Sequence, residues 1–223
     1  FFFKQKTAYE IPKRDWSSDV CSSDLIVRLE SIGAEPVVID FSPFAEAAAL
    51  LYDGPWVAER YAAVGEFIAK HADVVHPVVR EIVFQGACLS AVDAFRGDYR
   101  LKSLIQSARD QWARMDVLVV PTTPTIFTID EVEADPVRLN ATLGVFTNFV
   151  NLMDLAAVAV PAGFRASGAP FGVSVIGPAF SEPAMLSLAA SLLGETPAPM
   201  TRTGCVEVAV VGAHLTGQPL NHQ

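Results

Sequence analysis

From residue 26 onward, apolar positions alternate between two signatures: helical spacings of three and four, and short runs of consecutive branched residues. Residues 26–31 read as the end of a helix that Gly33 stops. Glu35-Pro36 then leads into Val37-Val38-Ile39-Asp40, which predicts a short strand. Ser42 is placed to cap, and Pro43 to open, an alanine-rich helix reaching about Tyr52, which Asp53-Gly54-Pro55 breaks. Val57, Tyr61, Val64 and Ile68 predict one face of a second helix, and Pro77 opens a third. Val92, Phe95, Tyr99, Ile105, Ala108 and Trp112 predict the inner stripe of a long helix over 90–114. A strand over 116–120 runs into Pro121-Thr122-Thr123-Pro124-Thr125. Beyond it the pattern predicts one helix over 139–152 and a strand over 156–160 closed by Pro161-Ala162-Gly163. After a turn at 167–170 come a strand over 171–176 and a helix over 182–193, with Ser181 as cap and Met185, Leu188, Ala189 and Leu192 facing inward. Residues 196–204 form a proline-containing linker, and 205–211 read as a last strand. Helices alternating with short apolar strands predict an α/β domain whose mixed sheet is covered by helices on both faces.

Residues 1–25 follow neither period. Their charges cancel, with Lys4, Lys6, Lys13 and Arg14 against Glu10, Asp15, Asp19 and Asp24. An apolar start ahead of the lysines, with no apolar stretch after them, is not a signal peptide. The text is similar to a translated sequencing-adapter read joined to a gene fragment. Residues 1–25 are therefore expected to be foreign or disordered, Ser17-Ser18, Cys21 and Ser22-Ser23 to carry no chemistry, and the natural start to lie upstream. The chain of 223 residues has 16 Lys+Arg against 25 Asp+Glu and is 51% hydrophobic. This is a globular composition, and an acidic one with no basic cluster disfavours nucleic-acid or anionic-membrane partners. The longest apolar run, 155–160, is far too short to span a bilayer. Three widely spaced cysteines fit neither a disulfide framework nor a CxxC metal site, which suits a cytoplasmic protein.

Recognisable catalytic motifs are missing: no GxSxG, HExxH, P-loop or GxGxxG occurs. His71, His76, His214 and His222 lack ligand spacing, so no metal or other cofactor is expected. Cys88 reads as a buried structural thiol. Lys70 and Lys102, the only lysines after residue 25, sit in amphipathic text where a solvated face is expected.

Three stretches add more. Val-Leu-Val-Val-Pro-Thr-Thr-Pro-Thr at 117–125 and Asn-Phe-Val-Asn-Leu-Met-Asp-Leu-Ala-Ala-Val-Ala-Val-Pro-Ala-Gly-Phe at 148–164 are the first two, the second continuing through Gly168-Ala169-Pro170-Phe171-Gly172-Val173 to Gly177. In this order and spacing they resemble the C-terminal half of an amidase-signature hydrolase. The third, Leu51-Tyr52-Asp53-Gly54-Pro55-Trp56-Val57-Ala58-Glu59-Arg60-Tyr61, resembles the substrate-recognition segment of the allophanate hydrolases, a branch of that family, as do 90–96 and the tail 208–223.

That resemblance implies a partial amidase-signature fold over 26–195 and the truncated opening of a further domain at 205–223. It implies an enzyme hydrolysing allophanate, urea-1-carboxylate, to ammonia and carbon dioxide. The family's two serines and lysine would do this chemistry, with glycine-rich N–H donors for the oxyanion. Those catalytic residues belong to a Lys-containing helix and a Gly-Gly-Ser-Ser-Gly-Gly-type segment with no counterpart in this sequence, so no catalytic residue is assigned and the chain alone is expected to be inactive. The family's substrate-binding tyrosine and arginine fall on Tyr52 and Arg60, and a guanidinium fork suits a carboxylate. Arg60 pairing with Asp53 or Glu59 stays open as the plainer alternative. Thr122-Thr123-Pro124 reads first as structural and second as a pocket wall. The partners implied are a small carboxylated amide, a urea carboxylase and, for the full-length enzyme, a second copy. The rivals are a generic amidase, the A subunit of a tRNA-dependent amidotransferase, and a non-catalytic binding module.

Overall fold

The computed structural model describes residues 20–165 and 167–196. The 1–19 part of the expected foreign segment 1–25, the 197–204 part of the linker and the strand at 205–211 lie outside the described residues. In chain order the elements are α1 (Val20–Ser31), α2 (Ser42–Asp53), α3 (Trp56–Lys70), α4 (Pro77–Gln85), a 3-10 turn (Gly86–Cys88) and α5 (Ala91–Trp112), followed by β1 (Leu118–Pro121), α6 (Ile129–Ala134), α7 (Pro136–Leu143), α8 (Phe149–Leu152), β2 (Leu155–Phe164), β3 (Pro170–Pro178) and α9 (Glu182–Leu193). The composition boundary at residue 25 falls inside α1, where Leu25 packs on the core.

The sheet has the order β1-β3-β2, and both described pairings are antiparallel. Alternation along β1 feeds two cores. Leu118 and Val120, with Ile176 of β3, meet Phe44 and Ala47 of α2, Leu101, Leu104 and Ala108 of α5, and Phe149 of α8. On the opposite face Val119, Val173, Val175, Ala156 and Val160 meet Leu29 of α1 and Met185, Ala189 and Leu192 of α9. Helices therefore cover both faces of the sheet. Phe44 is fully buried, its ring 5.2 Å from Phe149 and 5.9 Å from Trp112. Burying one such side chain contributes about 1.5 to 3 kcal/mol.

Several elements depart from the sequence pattern. The 37–40 stretch pairs with no described strand. Its backbone groups are taken by α5 and the residues after it: Asp40 N donates to Gln111 Oε1 (3.0 Å), and Val38 O accepts from Arg114 Nη2 (2.8 Å). Ser42 is the first residue of α2 rather than its cap, and its N–H donates to Asp40 Oδ1 (2.9 Å). In α5 the inner stripe is Gly97, Leu101, Leu104 and Ala108, while Phe95 and Tyr99 are 61% and 64% exposed. The cause is Gly97: the Pro55 ring lies 2.4 Å from where a Cβ would stand, so the helix turns its bare backbone to the α2–α3 bend. The expected helix over 139–152 is two, because the chain turns at Gly144, whose carbonyl accepts from the N–H of Thr147 and of Asn148. The strand expected to end at Val160 continues through a bulge between Pro161 and Gly163, with Gly163 at φ +130°. Cys88 is exposed, not buried, because the 3-10 turn carries it outward while Gly86 packs under α3.

Candidate functional site

Tyr52 and Arg60 are placed by one bend. Tyr52 lies in the last turn of α2, Gly54 and Pro55 reverse the chain, and Arg60 lies in the second turn of α3. Gly54 is required there, since a Cβ would meet Leu50 O at 2.4 Å and the Trp56 ring at 2.9 Å. Both side chains are exposed, Tyr52 by 39%. Neither makes a hydrogen bond or ion pair with a described residue, so the pairings of Arg60 with Asp53 or Glu59 do not form. The bend thus joins a phenol that can donate or accept a hydrogen bond to a guanidinium that can bind a carboxylate, neither of them engaged by a described residue.

Some other basic side chains are committed to surface structure, whereas Arg96 and Arg109, like Arg60, form no ion pair or side-chain hydrogen bond with a described residue. Lys70 pairs with Glu66 at 2.5 Å, Lys102 with Asp98 at 2.6 Å, and Arg100 with Glu46, all on solvated faces. No cluster of three or more metal-ligating side chains occurs among the described residues, and no described helix is long and apolar enough to cross a membrane. One titration stands out: Ser90, capping α5, donates its hydroxyl (2.6 Å) and its N–H (3.0 Å) to Asp93, which holds that carboxyl below its ordinary range.

The Pro-Thr loop is fastened to the sheet. Thr122 N donates to Gly172 O (3.1 Å), and the hydroxyls of Thr122 and Ser174 share a 3.0 Å hydrogen bond. Thr123 Oγ1 donates to Thr125 O (3.2 Å), so its hydroxyl is also engaged within the loop. One residue that the sequence reading passed over joins this junction. Arg165, at the end of β2, donates from Nη2 to Pro124 O at 3.4 Å and lies over the Phe171 ring at 5.7 Å. It is the sole basic residue between Arg138 and Arg202, a signal visible in the sequence.

Known proteins bear on this geometry. The urea amidolyase of Saccharomyces cerevisiae is 36% identical over 255 aligned residues, covering 99% of this chain and 14% of its own length. An allophanate hydrolase structure from Kluyveromyces lactis superposes with a TM-score of 0.74 at 35% identity, covering 91% of this chain and 37% of that one. The A subunit of glutamyl-tRNA(Gln) amidotransferase from Xanthobacter autotrophicus is 35% identical over 158 residues, 65% of this chain and 32% of its own. This chain therefore spans only a minor part of each. The Amidase family model matches residues 17–186, beginning inside the segment set apart by its composition. On that match, which extends across both faces of the sheet and the Tyr52–Arg60 bend, the chain belongs to the amidase family.

Proposed function

We propose that this chain is the substrate-recognising part of an amidohydrolase that cleaves allophanate to ammonia and carbon dioxide. In this reading Tyr52 and Arg60 hold the substrate's carboxylate, and the serine pair and lysine of the reaction are contributed by sequence that this chain does not contain. Residues 26–195 form the C-terminal half of the amidase domain, and 205–223 open a further domain. The enzyme is cytoplasmic and dimeric, and a urea carboxylase supplies its substrate. The observation that carries the proposal is the exposed Arg60 guanidinium, paired with no described residue, just after a Gly-Pro bend, in a chain 36% identical to a urea amidolyase.

The test uses malonamate, a stable analogue in which CH₂ replaces the NH of allophanate. Titrated into the 223-residue chain, it should shift the Arg60 Nε–H and Tyr52 ring resonances saturably, whereas acetamide, without the carboxylate, should not. Arg60→Lys should weaken binding up to about fivefold, since an exposed ion pair is worth about 0.2 to 1 kcal/mol. Only a desolvated pair in an intact active site would reach about 2 to 5 kcal/mol. An unaltered affinity in Arg60→Lys would remove Arg60 from the site.

A further inference from the structure

We infer that Arg165 is a second carboxylate-receiving residue of this chain, seated where the β2–β3 hairpin meets the Pro-Thr loop. The ligand class rests on the proposed function; the site itself rests on geometry. The Arg165 side chain is half-buried, and no carboxylate lies within ion-pairing distance of it among the described residues. Its Nε–H is fully buried and has no acceptor among the described residues. Its one hydrogen bond, from Nη2 to Pro124 O, is 3.4 Å, near the limit at which such a bond contributes. A buried donor left unpaired is costly, and native proteins keep few of them without a use.

The Nε–Nη2 edge is one of the guanidinium edges that grip a carboxylate with two parallel bonds. Here one of those donors is empty and the other weakly engaged. The Phe171 ring, 5.7 Å below, fixes the plane of the fork, so less freedom is lost when an anion docks. A lysine could not replace this arrangement. Binding requires no covalent step: the Pro-Thr loop draws back from Arg165, a carboxylate oxygen takes the place of Pro124 O on Nη2, and the second oxygen meets the Nε–H that this movement uncovers. Arg60 differs in being exposed and in lying over no ring of a described residue.

The experiment follows arginine Nε–H resonances in the ¹⁵N-labelled 223-residue chain, with the Phe171 ring as a second reporter, during titration with acetate, malonamate and acetamide. The two carboxylates should move the Arg165 Nε–H downfield to saturation, and acetamide should leave it in place. Arg165→Gln, verified as folded by its thermal melt, should abolish the Phe171 response, and Arg165→Lys should weaken it about tenfold or more. A Phe171 response that survives in Arg165→Gln overturns the inference, as does a silent Arg165 in the wild-type chain. Shifts at Tyr52 and Arg60 with none at Arg165 would sink this inference alone. The reverse pattern would sink the Tyr52–Arg60 assignment and keep Arg165, and silence at both would sink both.

Discussion

Gly97 and Arg165 show how much a single position can decide. Alanine at Gly97 would favour the helix by about 1 kcal/mol through propensity. Its Cβ would nevertheless stand 2.4 Å from the Pro55 ring, a rigid obstacle that only a shift of α5 can clear, and overpacking of this kind costs about 1 to 3 kcal/mol. Gly97→Ala should therefore lower the melting temperature by a few degrees, and an unchanged or raised value would mean that α5 can slide away from the bend. The bend between Tyr52 and Arg60 was legible because a helix stop, Gly-Pro and a helix start are written consecutively, whereas the pairing of the two residues came only from the resemblance of 51–61 to the allophanate hydrolases. Arg165 was not legible as a site. Its isolation among apolar residues is visible in the text, but its neighbours Pro124 and Phe171 come from separate elements that only folding assembles.

At the level of elements, local punctuation was readable and orientation was not. Pro77, Ser90 and Gly33 mark helix ends where the sequence put them, because caps and left-handed stops depend on adjacent residues. The capping box of α5 gives a pH prediction. Asp93 is held below its ordinary value first by the Ser90 hydroxyl and then by the Ser90 N–H, while desolvation opposes the shift. A carboxyl with a lowered folded-state pKa contributes stability that is present above its unfolded value and is lost as the pH falls through the folded one. Ser90→Ala removes the first cause, so an NMR titration should find the Asp93 midpoint moved upward, toward the ordinary carboxylate. An unmoved midpoint would assign the shift to the backbone N–H alone. The failures at this scale share one origin. Val37 to Asp40 has strand composition, yet its hydrogen bonds go to Gln111 and Arg114, and Val92, Phe95 and Tyr99 have helical spacing, yet the Gly97 contact turns them to solvent.

Across the whole molecule, β1 and β2 are the outer strands of the described sheet, and on β2 Ala157 and Ala159 stand exposed on the face that carries Ser174 and Ile176. An open edge beside exposed small residues is a template for association between copies. Concentration-dependent light scattering should detect that association, and Ala159→Lys should reduce it while leaving the melting temperature within a degree or two; equal scattering in the variant would place the contact elsewhere. Sequence alone determined the alternation of helices and strands, the two-faced β1 and the bend that carries Tyr52 and Arg60, because each depends on residues within one or two turns of one another. Tertiary structure decided which face of α5 is inside, that 37–40 pairs with side chains instead of a strand, that the described sheet is antiparallel, and that Arg165 meets Phe171 under the Pro-Thr loop. Those outcomes follow from contacts between residues far apart in the chain, whose geometry no local spacing contains.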